Sequence, residues 1–264
     1  MPNQPFISLS QSALKWNGMA ATPNGDVYAC VTTLGNIYKC SGGVGNFITQ
    51  NQNVHNWAGI TGAANGDVYA SVTNSDIYKC SGGVGNFNPL SQTARNWRGM
   101  CGAANGDVYA SVINGNIYIR TGGSGDFVTL SQTTRLWSGM AAAPNGDIYA
   151  CVTNGGIYKR TGGIGDFITL SQATRAWAAM AAAPNGDIYA CVTNGDIYKC
   201  TGGIGNFNAL SQNLNGWSGM AATPNGDVYA CVTNVDIFKQ LKLSPTNRTK
   251  GSGSGSGFGF GFRF

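Results

Sequence analysis

The stretch WAAMAAAPNGDIYACVTNGDIYKC, residues 177–200, recurs with small changes six times along the 264-residue chain. Its leading tryptophan returns at intervals of 41, 40, 40, 40 and 40 residues, at Trp16, Trp57, Trp97, Trp137, Trp177 and Trp217. A repeat of this length is one supersecondary unit, and such units bury their apolar faces by stacking on their neighbours. The architecture of the chain can therefore be predicted from the repeat as a whole.

Each repeat contains four short segments that are typical of strands. In the fourth repeat these are residues 137–142, 147–152, 157–159 and 167–171. Turn residues separate them: Pro144-Asn145-Gly146 suits a type I turn, and Asn154-Gly155 suits a two-residue type I′ hairpin. The first segment is rich in Gly and Ala, so we place it innermost, where several strands converge on an axis. The chain contains no Glu, a good helix former, which disfavours a helical fold.

The phase of the repeat indicates a closed ring. The sixth repeat ends after its third segment, residues 237–239, whereas residues 6–11 match the fourth segment of a complete repeat, residues 167–172. We therefore expect the N-terminal strand to complete the sixth blade. The predicted fold is all-β, a closed six-bladed β-propeller of four-stranded blades over residues 1–240, followed by a C-terminal Gly/Phe tail.

The repeat resembles the tectonin-type β-propeller repeat. The resemblance is carried by the tryptophan, by NGDIYA at residues 185–190 and by NGDIYK at residues 194–199, and it covers residues 6–239. Tectonin-like propellers include lectins and membrane-associated surface proteins. The resemblance therefore implies a propeller that binds carbohydrate or another surface ligand.

The acidic residues follow the repeat and favour no reaction. The eleven aspartates occupy three repeated turn positions, where a carboxylate most simply bonds its own turn backbone. Calcium at these loops is the alternative, but each loop offers one Asp, whereas calcium takes ~6–8 oxygens. The eight cysteines form no CxxC pair and are predicted to be free and buried. We therefore expect no enzyme, no catalytic residue, no metal and no cofactor.

One face of the predicted ring carries a candidate binding surface. Arg95, Arg135 and Arg175 each stand two residues before a tryptophan, and His55 holds this position in the second repeat. Strand alternation places them on the same face as a set of turn asparagines, namely Asn74, Asn114, Asn154 and Asn194. Two interpretations remain open: a surface that binds glycans or acidic groups, and a solvated rim.

The C-terminal residues differ in charge and composition from the body. Residues 1–240 hold twelve Lys or Arg and eleven Asp, whereas residues 241–264 hold four Lys or Arg and no acid. A near-neutral body lacks the electrostatic footprint of nucleic-acid binding. Residues 241–257 form a basic and Gly/Ser linker. In residues 258–264, an extended strand would place four phenylalanines on one face, namely Phe258, Phe260, Phe262 and Phe264.

Three interpretations of this tail compete: a docking strand for a protein partner or a neighbouring copy, an artificial linker and tag, and a disordered end. Docking is favoured, because burying the four phenylalanines against a partner would release free energy that a free tail does not gain. Two function classes follow. One is a binding or adhesion propeller attached to a larger assembly through its tail, and the alternative is a purely structural component of a phage tail or virion.

The sequence also bears on location. No apolar run reaches the ~20 residues of a transmembrane segment, and no secretory signal is visible in residues 1–10. We therefore expect synthesis in the cytoplasm without a signal peptide, and action on a virion or an extracellular surface.

Overall fold

The repeats fold as six units of antiparallel strands in the computed structural model, which describes residues 4–212 and 215–242. In every unit the first strand begins at the repeated tryptophan or two residues before it. The first strands are Trp16–Ala21 (β2), Trp57–Gly62 (β6), Arg95–Gly102 (β10), Arg135–Ala142 (β14), Arg175–Ala182 (β18) and Asn215–Ala222 (β22).

The second and third strands form a hairpin in every unit. The second strands are Val27–Val31 (β3), Val68–Ser75 (β7), Val108–Gly115 (β11), Ile148–Gly155 (β15), Ile188–Gly195 (β19) and Val228–Val232 (β23). The third strands are Ile37–Cys40 (β4), Ile77–Cys80 (β8), Ile117–Arg120 (β12), Ile157–Arg160 (β16), Ile197–Cys200 (β20) and Ile237–Gln240 (β24).

The fourth strand is the shortest, and in the sixth unit it comes from the N-terminus. These strands are Ile48–Thr49 (β5), Asn88–Pro89 (β9), Val128–Thr129 (β13), Ile168–Thr169 (β17), Asn208–Ala209 (β21) and Ile7–Ser8 (β1). Strand β1 pairs antiparallel with β24, with Ile7 opposite Lys239. The N-terminal segment thus lies where the phase of the repeat predicts it.

Pairing between units differs from the prediction of a closed ring. The second strand of one unit extends to pair with the first strand of the next, as Gly155 does with Arg175, and this joins most strands into one 20-stranded sheet. The first unit stays a separate four-stranded sheet, because β3 already ends at Val31 and a turn with left-handed Thr33 and Leu34 follows. Among the described strands, therefore, no sheet closes on itself.

The apolar core lies between neighbouring units. One cluster joins Tyr109 and Ile117 of the third unit to Trp137 and Phe167 of the fourth. All six tryptophans are at most 2% exposed. Trp137 meets Tyr158 edge-on at a centroid distance of 5.1 Å, a favourable aromatic geometry. The repeated tryptophan is therefore a packing residue.

The aspartate that follows the first turn ties two connections of its unit together. In the fourth unit Asp147 accepts hydrogen bonds from the backbone N–H of Gly162 at 2.8 Å and from Asn145 Nδ2 at 3.0 Å. The ammonium of Lys159 lies 2.6 Å from the same carboxylate. Burial by itself raises the pKa of Asp147, but these three donors outweigh it and leave the pKa below its ordinary value. The repeated aspartate is therefore structural.

Candidate binding face

The predicted arginines lie where one unit joins the next. Arg95 begins β10 and stands opposite Ser75 at the end of β7. Arg135 and Arg175 begin β14 and β18 and stand opposite Gly115 and Gly155 in the same way. We call these three arginines together with His55 the charged rim. These four residues occupy four consecutive junctions between units. At the first junction, between the first and second units, His55 forms an isolated bridge with Gly35.

The predicted asparagines sit directly beside these junctions. Asn74, Asn114 and Asn154 each precede the residue that pairs with a rim arginine, and Asn194 precedes the residue that pairs with Asn215. All four are exposed and have left-handed φ values between 53° and 56°. Asn tolerates this conformation better than other non-glycine residues. The asparagines thus have a backbone role, and Asn74, Asn114 and Asn154 are exposed residues next to the rim arginines.

The rim arginines stack on aromatic rings of their own units. The guanidinium carbon of Arg95 lies 4.7 Å from the centre of the Tyr118 ring. Arg135 and Arg175 each lie 4.6 Å from the equivalent tyrosines, Tyr158 and Tyr198. Stacking uses the face of the guanidinium and leaves its in-plane N–H groups available to other acceptors. The three arginines therefore present equivalent, pre-oriented donors.

His55 takes the same place but has a different charge. Its ring lies 4.9 Å from that of Tyr78 and 5.0 Å from that of Trp57. Burial lowers the pKa of His55, so its imidazole is neutral at pH 7. The positive charge of the rim therefore comes from the three arginines.

The acidic groups near this face are already occupied. Asp76, in the turn that follows Ser75, accepts hydrogen bonds from the backbone N–H groups of Ile77, Ser91 and Gln92 at 2.7 Å each. Every ion pair found among the described residues joins a lysine to an aspartate of the first turn. Within that part of the chain, the rim arginines have no carboxylate partner.

In residues 4–212 and 215–242, no group of three or more His, Cys, Asp or Glu side chains is placed to hold a metal ion, so the calcium alternative gains no support. In the same residues no helix is long and apolar enough to cross a membrane. The four tail phenylalanines, Phe258, Phe260, Phe262 and Phe264, lie outside the described residues.

One charged residue of the inner strands, Arg98, is not among the predicted site residues. Arg98 follows Trp97 in β10 and lines a cavity that is shared by all six units. Arg98 is a charged residue that breaks the repeat, and this departure is the signal that could have identified it. The other units have Asn17, Ala58, Ser138, Ala178 and Ser218 at this position.

No protein-family model matches the chain, and no curated protein matches it in sequence. Solved structures match it in fold. A gluconolactonase from Xanthomonas campestris aligns with a TM-score of 0.69 at 9% identity, over 92% of this chain and 99% of that one. A streptogramin B lyase aligns with a TM-score of 0.61 at 15% identity, over 89% and 96%. A chain of the nidogen–laminin complex aligns with a TM-score of 0.58 at 14% identity, over 72% and 76%.

These neighbours support the β-propeller fold and correct two expectations. The expectation that the protein is no enzyme is wrong, because structures that share its fold are named as a lactonase and a lyase, which points towards enzymatic propellers. At 15% identity or less the likeness shows the fold and assigns no reaction. The tectonin resemblance gains no support, since the neighbours are propellers of other kinds. The chain is an all-β protein with a propeller fold.

Proposed function

We propose that the protein is a binding propeller that recognises a glycan or another cell-surface ligand through its charged rim. One observation carries this proposal: three equivalent arginines are stacked on tyrosines at 4.6–4.7 Å and lack a carboxylate partner in the described part of the chain. Guanidinium groups pair well with carboxylates and sulfates, and the neighbouring exposed amides of Asn74, Asn114 and Asn154 suit hydroxyl groups.

Repetition strengthens such a surface. The same arginine–tyrosine–asparagine group occurs at three successive junctions, so a ligand with repeated acidic or hydroxyl groups engages several of them at once. Linked weak contacts raise the overall affinity without any new contact type. A polymeric surface glycan with acidic groups is therefore the ligand class that this face fits best.

We also propose that the six units close into a six-bladed ring that presents this face. A glutamine three residues after each fourth strand supports closure, because its side-chain oxygen accepts a hydrogen bond from the N–H of the corresponding phenylalanine in the next unit. Gln132 binds Phe167 at 3.0 Å, Gln212 binds Phe6 at 3.0 Å, and Gln11 binds Phe47 at 2.9 Å. The last of these contacts links the sixth unit to the first.

Changing Arg95, Arg135 and Arg175 together to Ala tests the binding face. We expect ligand affinity to fall at least tenfold, since one hydrogen bond to a charged group contributes ~1.5–3 kcal/mol. The side chains are only partly buried, so the fold should persist. A glycan array on the full chain would identify the ligand, and calorimetry would measure the loss.

Two controls make the result specific. Changing Arg120 and Arg160 to Ala removes positive charge elsewhere and should leave the affinity unchanged. Changing the three rim arginines to Lys keeps the charge but removes the planar donor pair, so an intermediate affinity is expected. Full affinity in the triple Ala variant would place the site elsewhere. An array without any bound glycan would favour the purely structural role in a phage tail or virion.

We further propose that residues 258–264 attach the protein to a larger assembly as an added strand, with residues 241–257 as a linker. This rests on the alternation of Phe258, Phe260, Phe262 and Phe264 with Gly and Arg in the sequence.

Deleting residues 251–264 should leave the circular dichroism spectrum of the body unchanged and abolish co-purification with the assembly. Changing Phe260 and Phe262 to Ser should do nearly the same. Normal co-purification of the truncated chain would assign the anchor to the body.

A further inference from the structure

The inner strands of all six units surround a small cavity. It has a volume of about 40 Å³ and is lined in every unit by the three residues that follow the repeated tryptophan. Most of these are Gly, Ala and Met, and the polar ones are Asn17, Ser138 and Ser218. Among the described residues that line this cavity, Arg98 alone carries a charge.

Arg98 has no anionic partner in the described part of the chain. None of the ion pairs or side-chain hydrogen bonds found in residues 4–212 and 215–242 involves its guanidinium. Burial lowers the pKa of Arg98, yet arginine stays protonated in proteins. The Arg98 side chain is half-buried, and a half-buried charge that no anion of the walls neutralises attracts a counter-ion.

The nearby thiols do not supply that charge. Arg98 acts electrostatically on Cys30 of the first unit and on Cys151 of the fourth. These two units lie on opposite sides of the cavity that the six units line. Burial raises the pKa of Cys30 to about 12 and that of Cys151 to about 11, although Arg98 itself lowers both. Both thiols are therefore neutral at pH 7, and the guanidinium is left without a counter-ion from the walls.

The polar groups of the wall are also engaged elsewhere. The hydroxyl of Ser138 donates to the carbonyl oxygen of Trp177 at 3.0 Å. The amide nitrogen of Asn17 donates to the carbonyl oxygens of Trp57 and Ala58 at 3.2 and 3.1 Å. These groups and the hydroxyl of Ser218 pair with the next inner strand, so among the described polar side chains that line the cavity, that of Arg98 is left without a partner.

We propose that Arg98 holds a compact planar oxyanion of the carboxylate class in this central cavity. The guanidinium presents two parallel N–H groups that match the two oxygens of a carboxylate, a fit that a spherical ion does not exploit. One water needs roughly 10–15 Å³ of such volume, so the cavity has room for an anion of three or four atoms and not for a sugar. This site is distinct from the charged rim and takes a different ligand.

Formate is a suitable probe, with ionic strength held constant by the sodium salt of HEPES, a molecule that is too large for the cavity. We expect formate to raise the melting temperature of the full chain in a saturable way. The Arg98→Ala variant should lose the saturable part, while Lys15→Ala, which removes an exposed cation outside both the rim and the cavity, should keep it. Ala already occupies this position in two other units, as Ala58 and Ala178, so the variant is expected to fold.

Three outcomes would overturn the proposal. One is an equal response to formate in the wild type and in Arg98→Ala. Another is bromide binding as tightly as formate, which would show that the planar donor pair plays no part. If Arg98→Ala melts far below the wild type, calorimetry on Arg98→Lys decides: about tenfold weaker formate binding supports the proposal, and equal affinity overturns it.

Discussion

Deleting residues 1–11 is expected to lower the melting temperature by at least about 10 °C and to promote aggregation. The deletion removes the strand that pairs with β24 and exposes the edge of the sixth unit. It also removes the backbone N–H groups of Ser10 and Gln11, which lie 2.9 and 2.6 Å from the carboxylate of Asp236. Asp236 is only 7% exposed, so losing its donors leaves a buried carboxylate poorly satisfied.

The same deletion breaks contacts with both neighbouring units. Phe6 packs against Trp217 at a centroid distance of 6.1 Å, and the side chain of Gln11 binds the N–H of Phe47 in the first unit. Together with the lost pairing, this is on the order of 5 kcal/mol, and ~2–4 °C accompany each kcal/mol in a chain of this size. Thermal melting followed by circular dichroism measures the change.

Removing only residues 1–3 is the matched control and should leave the melting temperature unchanged. A synthetic peptide of residues 4–12, added to the shortened chain, should recover part of the loss by refilling the edge of β24. If deletion of residues 1–11 has no effect on melting, the N-terminal strand does not complete the sixth unit and the ring model is wrong.

The strands were predictable from the sequence because their signals are local. Turn residues such as Pro144 and Gly146 lie between the end of β14 and the start of β15, and Gly146 has the left-handed φ of 88° that favours glycine in this turn. The pairing between units was not predictable in this way. Asn154-Gly155 was expected to form a type I′ hairpin, but only Asn154 is left-handed. Gly155 instead continues β15 to meet Arg175, a partner twenty residues away that no local pattern reveals.

The candidate sites show a similar division. The grouping of the rim arginines with the turn asparagines followed from strand alternation, whereas the stacking of Arg95 on Tyr118 depends on side-chain packing. Arg98 was visible in the sequence as a departure from the repeat. Its position in the central cavity follows only from the arrangement of the inner strands, which brings six distant segments together.

The inner strands approach each other closely, and the distance differs between units, so the same glycine-to-alanine substitution should differ in its cost to stability. In five units a glycine lies two residues after the tryptophan, at Gly18, Gly59, Gly99, Gly139 and Gly219. A Cβ atom at Gly99 would lie 1.8 Å from the carbonyl oxygen of Ser138, whereas one at Gly18 would lie 2.9 Å from that of Ala58. Neither glycine has a left-handed φ, so the available space alone distinguishes them. The fifth unit already carries Ala179 at this position.

Gly99→Ala is expected to lower the melting temperature by about 10 °C, because a backbone oxygen cannot move aside and the two inner strands must separate. Overpacking of this kind costs roughly 1–3 kcal/mol, and this contact belongs at the upper end. Gly18→Ala should cost less than half as much, since its nearest contact is longer. Ala179→Gly is the control for backbone entropy and should cost only about 0.5–1 kcal/mol. Urea unfolding of the three variants measures these differences. Equal losses for Gly99→Ala and Gly18→Ala would contradict the tight contact between the third and fourth units, and with it the packing that places Arg98 in the central cavity.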